Sequence, residues 1–280
     1  MKRLMKICAV TALAAGLGAT GLRADGPVAL KTTEFGHGPT IVMLHGLGSA
    51  RMVWLPTAKK LLATHHIVMV DLPGHGDSAL PDPFSLDACA AALDQVLATQ
   101  NPDSTVLVAV GFGSIVAITE AQAHPEHMRG LAVIDGSTRS PMKVPEQQQM
   151  FFQMMDTRYD DILRSMAQGQ GRDSVERAEL LATAQAVSPV TMKTYMRAAV
   201  NVDVSAAVKT MKPSFLFIGS DRRWPADKDW PTLAKELGYE DAGPITARRV
   251  ADAGALMMKE QPDTLAAILA DFTAKAITKK

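Results

Sequence analysis

Short runs of apolar residues recur along the chain, and most of them precede a stretch with helical periodicity. The runs occupy residues 40–44, 67–70, 105–110, 131–134 and 214–218. Because each run is apolar at nearly every position, both faces of the predicted sheet must be covered, which is typical of parallel strands. The pattern therefore predicts an α/β fold with a doubly wound, mostly parallel sheet, and a ligand site at the carboxyl ends of its strands.

Helical patterns are predicted between those strands and in one long insertion. Residues 86–99, 114–123 and 265–276 have helical periodicity, and Ser85 is placed to cap the first of these helices. Between about residues 137 and 211 the alternation with strands stops, which predicts a cap of several helices inserted into the sheet domain. Half of the sixteen methionines lie in this cap, where they suit either an apolar pocket roof or packing of the cap onto the sheet.

The first 24 residues differ from the rest of the chain. Three cations among the first six residues precede an apolar stretch that ends near Ala24, which is the layout of a secretory signal peptide. An uncleaved N-terminal anchor is the alternative. Cleavage would leave one domain over residues 25–280 with a single cysteine, Cys89, so no intrachain disulfide could form. We therefore expect a periplasmic or secreted protein.

Composition narrows the range of partners. The chain has 29 basic and 29 acidic side chains, and loss of the signal peptide would leave a net charge of −4. Without a basic excess, binding to nucleic acid is not predicted. After the signal peptide, no apolar run is long enough to predict a membrane span. No cluster of His, Cys and carboxylate residues has the sequence spacing of a metal site, and no cofactor is predicted.

Two turns at consecutive strand ends carry a resemblance to a known family. The strand at residues 40–44 runs into His45-Gly46-Leu47, and the next strand runs into DLPGHGDS, residues 71–78. Together these turns resemble the α/β-hydrolase family of serine hydrolases, and the resemblance covers nearly the whole mature chain. It implies an oxyanion hole in which the N–H of Leu47 points at the substrate oxygen. His45 and Gly46 are then expected to shape this turn beside the ligand.

The nucleophile that this resemblance implies is missing. In the family motif Gly-x-Ser-x-Gly, the serine lies on a strained turn between a strand and a helix. Here the strand at residues 105–110 is followed by Gly111-Phe112-Gly113-Ser114. In an ungapped alignment, Gly113 is predicted to occupy the serine position. A gapped alignment instead matches Phe112-Gly113-Ser114 to the tail of the family's common Gly-His-Ser-Phe-Gly-Ser form and lacks its His-Ser pair, so the serine is missing in both alignments. Ser114 is the nearest hydroxyl, although a bulky neighbour makes it a poor fit to the apex. Its N–H is expected to complete the oxyanion hole if Gly113 holds the apex.

The last part of the chain departs from the family pattern in a parallel way. Residues 254–262 keep the glycine, glutamate and proline of that pattern, but Ala255 stands where the family has its catalytic histidine. A serine hydroxyl is a weak nucleophile without a base to take its proton. Asp221 is at the position of the family's acid, unless it simply pairs with an adjacent arginine. Asp135, directly after the strand at residues 131–134, is the alternative acid.

Three hypotheses of function follow from these features. The first is an exported protein of carboxylic-ester-hydrolase type whose incomplete triad leaves it a binder of an apolar small molecule or ester-like ligand. The second is an active esterase-like hydrolase that uses Ser114 or other non-standard residues. The third is a dinucleotide-binding protein, because Gly111 and Gly113 lie between a strand and a helix and Asp135 ends the next strand. Val116 replaces the third small residue of that dinucleotide fingerprint.

Overall fold

The computed structural model describes residues 26–278, in which helices cover both faces of a seven-stranded sheet. The strands are β1 (Thr32–Gly36), β2 (Thr40–Leu44), β3 (His66–Val70), β4 (Thr105–Val110), β5 (Gly130–Ile134), β6 (Ser214–Ser220) and β7 (Ile245–Val250). Their order is β1-β3-β2-β4-β5-β6-β7, and β1 alone runs antiparallel to its neighbour. This architecture confirms the predicted α/β fold class. The predicted signal peptide lies outside the described residues.

Eleven α-helices occur within the described part of the chain. Six surround the sheet: α1 (Leu55–Leu61), α2 (Leu86–Leu97), α3 (Gly113–Ala123), α9 (Trp230–Leu237), α10 (Met257–Glu260) and α11 (Pro262–Thr278). Five lie between β5 and β6: α4 (Pro145–Thr157), α5 (Tyr159–Gln170), α6 (Ser174–Ala186), α7 (Pro189–Asn201) and α8 (Ser205–Lys209). Among residues 26–278, no helix is both long and apolar enough to cross a membrane.

Successive residues of the central strands supply two separate cores. In β2, Val42 and Leu44 belong to the core that includes residues of α2 and α3, whereas Ile41 and Met43 belong to the core that includes residues of α1 and α11. This division follows from the two-residue period of a strand, which directs alternate side chains to opposite faces of the sheet. Burial of both faces explains why the inner strands are apolar throughout.

Two strands of the sheet were not predicted from the hydrophobic pattern. The strands β1 and β7 occupy the two edges, and several of their positions are exposed or only half-buried. Edge strands carry polar residues such as Glu34 and Arg248, so they lack the continuous apolar run that marks the inner strands. The inner strands begin and end within two residues of their predicted bounds.

The segment predicted as a cap contains the helices α4 to α8. Met155, Met192 and Met196 are buried together in a small core of this segment, whereas Met150 is 63% exposed. Tyr195 of α7 joins the cap to the sheet domain, because its hydroxyl donates to the carbonyl oxygen of Pro73 at 2.8 Å. These three buried methionines therefore belong to a core within the cap itself, which differs from both roles expected for them.

Candidate active site

Two buried imidazoles hold together the turns that follow β2 and β3. His45 Nε2 accepts the N–H of Leu72 at 3.0 Å, and His75 Nε2 accepts the N–H of Gly48 at 3.3 Å. Burial lowers the pKa of His45 to about 3 and that of His75 to about 4, so both rings are neutral near neutral pH. His45 is fully buried and does not line the cavity described below. Its side chain therefore shapes the turn, as expected, but it does not lie beside a ligand in that cavity, which was also expected.

The turn after β3 folds around the fully buried carboxylate of Asp71. Asp71 Oδ1 accepts the N–H of Arg51 at 2.6 Å, and Oδ2 accepts the N–H of Asp77 at 3.1 Å. The guanidinium of Arg51 also pairs with this carboxylate, and the Ser78 hydroxyl donates to the Asp71 carbonyl oxygen at 3.1 Å. These donors satisfy a buried charge that would otherwise be costly, and they fix the shape of the turn.

The turn after β4 has Gly111, not Gly113, at its apex. Gly111 directly follows the strand with φ +56°, a left-handed conformation that glycine tolerates, and a Cβ there would meet no atom within 4 Å. Gly113 begins α3, where a Cβ would collide with the carbonyl oxygen of His45. The prediction that Gly113 occupies the apex is therefore wrong by two residues. Gly113 matches the final glycine of Gly-x-Ser-x-Gly, which was the sequence signal for the correct frame.

Ser114 is fully buried in the first turn of α3. Its hydroxyl donates to the carbonyl oxygen of Ala109 at 3.1 Å, and its N–H donates to that of Gly111 at 3.2 Å. The structure therefore leaves neither group free for the predicted roles of nucleophile and oxyanion donor. The N–H after the apex belongs to Phe112, which the sequence argument missed. The N–H groups of Phe112 and Leu47 have no acceptor within residues 26–278.

A cavity of about 320 Å³ lies over the carboxyl ends of β2, β4, β5 and β6. Gly111 and Ala255 both line this cavity, as do Gly46, Leu47 and Phe112. Its other polar walls include Asp135, Ser137, Arg139, Ser140, Gln170, Arg222 and Arg223. None of the histidines within residues 26–278 lines it. Of the two positions that the sequence analysis assigned to the missing triad members, Ala255 lines this cavity and Gly113 does not, because Gly111 takes its place at the turn.

An adjoining cavity of about 390 Å³ extends the site toward the cap. The two cavities share Leu47, Met166, Leu180 and Leu256 in their walls. Met166 belongs to α5 and Leu180 to α6, so the cap covers this part of the site with apolar side chains. The combined site therefore has a polar end near Gly111 and an apolar end under the cap.

Asp135 supplies a buried carboxylate at the polar end. Its Oδ1 accepts the N–H of Ser220 at 2.8 Å, and its Oδ2 accepts the Ser220 hydroxyl at 2.5 Å. Arg222 lies 3.5 Å from Oδ2, and Arg223 donates to the Asp135 carbonyl oxygen at 3.1 Å. The backbone of Asp135 has φ 53°, which is strained for a residue other than glycine. These donors hold both carboxyl oxygens of Asp135 in place at the polar end of the cavity.

Asp221 does not line the cavity with Asp135. One oxygen of Asp221 pairs with Arg249 of β7, and the other accepts the N–H of Asp252 at 2.6 Å. The expected partner was an adjacent arginine, and this expectation is wrong because β7 brings Arg249 alongside β6. Asp221 therefore anchors the start of the loop that carries Ala255.

A sequence profile described as the alpha/beta hydrolase family matches residues 41–268. The chain belongs to the alpha/beta hydrolase family. This confirms the resemblance drawn from the turns after the first two predicted strands. The apex of the turn after β4 is the nucleophile position in an α/β hydrolase, so Gly111 stands there in this member. The turn from Gly111 to Gly113 is then the strand-to-helix turn of the fold, which leaves the dinucleotide-binding alternative without a supporting feature.

The relatives of this α/β hydrolase include bacterial esterases. It is 36% identical over 112 residues to the pimeloyl-acyl-carrier-protein methyl ester esterase of Pseudoalteromonas atlantica, an alignment that covers 39% of this chain and 42% of the relative. It is also 36% identical over 104 residues to the enzyme of that name in Chromobacterium violaceum, covering 37% of this chain and 39% of the relative. The matches thus span about two fifths of these relatives.

Solved structures resemble the α/β hydrolase over most of its length. A bromoperoxidase from Bacillus anthracis matches with a TM-score of 0.76 and 14% identity, covering 89% of this chain and 97% of that protein. A thermophilic esterase from Thermogutta terrifontis matches with a TM-score of 0.72 and 18% identity, covering 89% and 94%. At these identities the similarity demonstrates a common fold.

Proposed function

We propose that this α/β hydrolase binds an amphipathic small molecule, with a carbonyl or carboxylate head and an apolar tail, and does not hydrolyse it by a serine mechanism. One observation carries the proposal. Gly111 and Ala255 line the same cavity, so neither a hydroxyl nor an imidazole is present at the positions of the reacting pair. A serine mechanism needs both groups, since the base takes the proton of the attacking hydroxyl.

The expected rate follows from measured triad deletions in other hydrolases. Loss of the triad lowers turnover by about 10⁶, while the oxyanion hole and substrate binding still leave roughly 10³–10⁴ over the uncatalysed reaction. The Leu47 and Phe112 N–H groups on the cavity wall support retention of the oxyanion hole. We therefore expect a slow background hydrolysis far below the rate of a complete esterase.

The two ends of the site support this class of ligand. The free N–H groups of Leu47 and Phe112 can donate to a carbonyl or carboxylate oxygen, and Arg222 and Arg223 add positive charge on the same wall. The adjoining cavity is walled largely by apolar side chains that suit an acyl chain. The relatives named methyl ester esterases support an acyl ester or its acid as the ligand.

An active esterase is the second candidate, and the names of those relatives favour it. It would need a hydroxyl and a base in the cavity. Ser114 is the hydroxyl closest to the apex in sequence, but its hydrogen bond to Ala109 holds it in the buried first turn of α3. The two candidates differ in ester turnover, which is rapid only for the active esterase, and the Ser114→Ala variant abolishes that turnover if Ser114 is the nucleophile.

Export is a further part of this proposal. Three cations followed by an apolar stretch up to Ala24 support a cleavable signal peptide. Expression of the full chain in a Gram-negative bacterium and N-terminal sequencing of the periplasmic protein test it. A first residue of Asp25 is expected. Recovery only of a chain that begins at Met1, in the cytoplasmic or membrane fraction, would contradict export.

Binding and turnover can be measured on one ligand pair, octanoate and methyl octanoate. Isothermal titration of the mature protein with octanoate is expected to give saturable binding. Gas chromatography is expected to show methyl octanoate intact after times in which an esterase, with a turnover number on the order of 10 per second, consumes it. Rapid conversion of the ester would contradict the proposed function and favour the active esterase.

A blocked variant identifies the site of binding. Leu180 lines both cavities, so Leu180→Trp is expected to abolish octanoate binding by filling the apolar end. Val175 lies on the same helix and is 77% exposed, so Val175→Trp adds the same ring outside the cavities and serves as the matched control. Equal binding by the two variants would contradict the assignment of the ligand to this site.

A further inference from the structure

A second group of side chains that could bind a metal ion lies near the amino ends of the strands, whereas the cavity lies over their carboxyl ends. Asp94 is on α2, while His124 and His127 follow the end of α3 and precede β5. One ligand atom from each of these three residues lies within 4.8 Å of the other two. Because α3 begins at the carboxyl end of β4 and runs back along the sheet, its far end is remote from the cavity.

The two imidazoles of this group are arranged in parallel and reach solvent. The His124 and His127 rings stack with centroids 5.3 Å apart and an angle of 10° between their planes. His127 Nδ1 lies 2.6 Å from Asp94 Oδ1, and His124 Nδ1 lies 3.2 Å from Glu126 Oε1. The side chains of His124, His127 and Asp94 are 43%, 26% and 25% exposed, so an ion from solvent can reach them.

A buried acid, Glu120, lies beside this group. Glu120 lies one helical turn before His124 and is fully buried, and its carboxyl group contacts that of Asp94. Two carboxyl groups in contact repel each other when both are ionised, so a positive charge beside them is favourable. A cation held by Asp94 would supply positive charge at this place.

We propose that Asp94, His124 and His127 bind a divalent transition-metal ion, with Zn²⁺ as the best match to the donor set. Two imidazoles and a carboxylate are common ligands of Zn²⁺, which binds N and O atoms at about 2.0–2.2 Å. Glu120 supports the site from the buried side, beside Asp94. The ion ties α2 to the connection between α3 and β5. Its effect is therefore on the stability of the fold and not on chemistry in the cavity.

Metal titration of the untagged mature protein, after dialysis against a chelator, tests this site. Calorimetry with Zn²⁺ is expected to show one saturable site and a rise in the thermal unfolding midpoint. Titration with Co²⁺ is expected to give the ligand-field absorption of nitrogen and oxygen coordination. Asp94→Asn and His127→Gln are each expected to weaken Zn²⁺ binding by roughly 10–100-fold or more, and Glu120→Gln by about 10-fold.

His37→Gln is the matched control, because His37 is an exposed imidazole outside the group. It is expected to leave the affinity for Zn²⁺ unchanged. Asp94→Asn preserves the shape of a half-buried side chain, and circular dichroism of the metal-free variant checks that it is folded. Failure of Zn²⁺ and Co²⁺ to bind saturably, or equal affinity of the folded Asp94→Asn and His37→Gln variants, would overturn the proposal.

Discussion

The two halves of the candidate active site differ sharply in what they contain. One half is formed by the turns after β2 and β3, and its polar side chains His45, His75 and Asp71 are all buried and hydrogen-bonded. The half formed by the turn after β4 and the loop after β7 carries Gly111 and Ala255, whose side chains offer no chemistry. The first half is called the framework below, and the second the reacting half.

The residues that shape this site are therefore different from the residues at the positions where reacting groups would lie. The framework orders the turn that carries Leu47, and the turn after β4 has a left-handed apex at Gly111. The positions of the Leu47 and Phe112 N–H groups on the cavity wall therefore depend on the backbone and not on a reacting side chain. The framework is also tied to the cap, because the ring of Tyr195 packs edge-on against His75 with centroids 5.0 Å apart. The hydrogen bonds of the framework therefore do not depend on any side chain of the reacting half.

The largest expected effect comes from rebuilding the reacting half. Gly111→Ser combined with Ala255→His is expected to raise methyl octanoate hydrolysis on the order of 10³-fold above wild type, a part of the roughly 10⁶-fold that a full triad contributes. The new serine side chain has room, since a Cβ at Gly111 meets no atom within 4 Å. Only part is recovered because Asp221 is held by Arg249 and Asp252 and is not free to orient an imidazole.

The control for the rebuilt site is Gly111→Ala combined with Ala255→His, which adds the same Cβ without a hydroxyl. Initial rates by gas chromatography compare the three proteins. Equal rates in the serine and alanine versions would contradict the assignment of Gly111 to the nucleophile position.

Stability measurements sharpen the contrast between the halves. His45→Ala removes a buried ring that accepts the N–H of Leu72, so the free energy of unfolding is expected to fall by about 2–4 kcal/mol. Ala255→Ser, in the reacting half, places a hydroxyl on a cavity wall and is expected to change it by less than about 1 kcal/mol. Urea unfolding, monitored by tryptophan fluorescence, measures the free energy of unfolding of both variants. Similar losses of this free energy in the two variants would contradict the difference between the framework and the reacting half.

The pH dependence of stability is expected to come partly from the framework. The pKa of His75 is about 4 in the folded protein and 6.5 in the reference state, so the unfolded chain binds more protons between these values. The stabilisation is therefore fully present above pH 6.5 and is lost as the pH falls toward 4, by up to about 1.4 kcal/mol per pH unit.

A substitution of that histidine isolates its contribution. His75→Gln is expected to flatten the slope of unfolding free energy between pH 5 and 6 by about that amount, while Ala255→Gly is expected to keep the wild-type slope. Burial raises the pKa of Glu260 to about 7, which gives a slope of opposite sign, but this acid is present in every variant and cancels. An unchanged slope in His75→Gln would show that this ring is not held neutral.

The smallest effect is expected from Ser114→Ala. Its hydroxyl donates to the carbonyl oxygen of Ala109 in β4 and does not line the cavity, so octanoate binding and the background rate of ester hydrolysis are expected to stay unchanged. The loss of one buried hydrogen bond is expected to cost about 1 kcal/mol of unfolding free energy. Loss of ester turnover in this variant would show that Ser114 takes part in ester hydrolysis and would contradict its assignment as a buried structural residue.

The sequence was sufficient to predict the strands whose apolar pattern reflects burial on both faces of the sheet. Apolar runs identified the five inner strands, but the edge strands β1 and β7 were missed because one side of each lacks a neighbouring strand. The turns at His45 and at residues 71–78 identified the family, since their residue types are dictated by buried hydrogen bonds.

The site was less predictable, because its geometry depends on backbone angles and long-range contacts. An ungapped alignment placed Gly113 at the apex, whereas φ and the space around each glycine assign it to Gly111. The pairing of Asp221 with Arg249 requires β7, which the hydrophobic pattern did not reveal. The approach of Asp94 to His127 depends on how α2 packs beside α3, so sequence spacing carried no sign of it.

The proposal that the cavity lacks a working nucleophile is most directly tested by intact-protein mass spectrometry after treatment with a fluorophosphonate. The account predicts that the mature wild-type protein keeps its unmodified mass, while the Gly111→Ser, Ala255→His variant gains one phosphonyl group. Stoichiometric modification of the wild-type protein at any serine, threonine or tyrosine of the cavity, abolished by substitution of that residue, would contradict it.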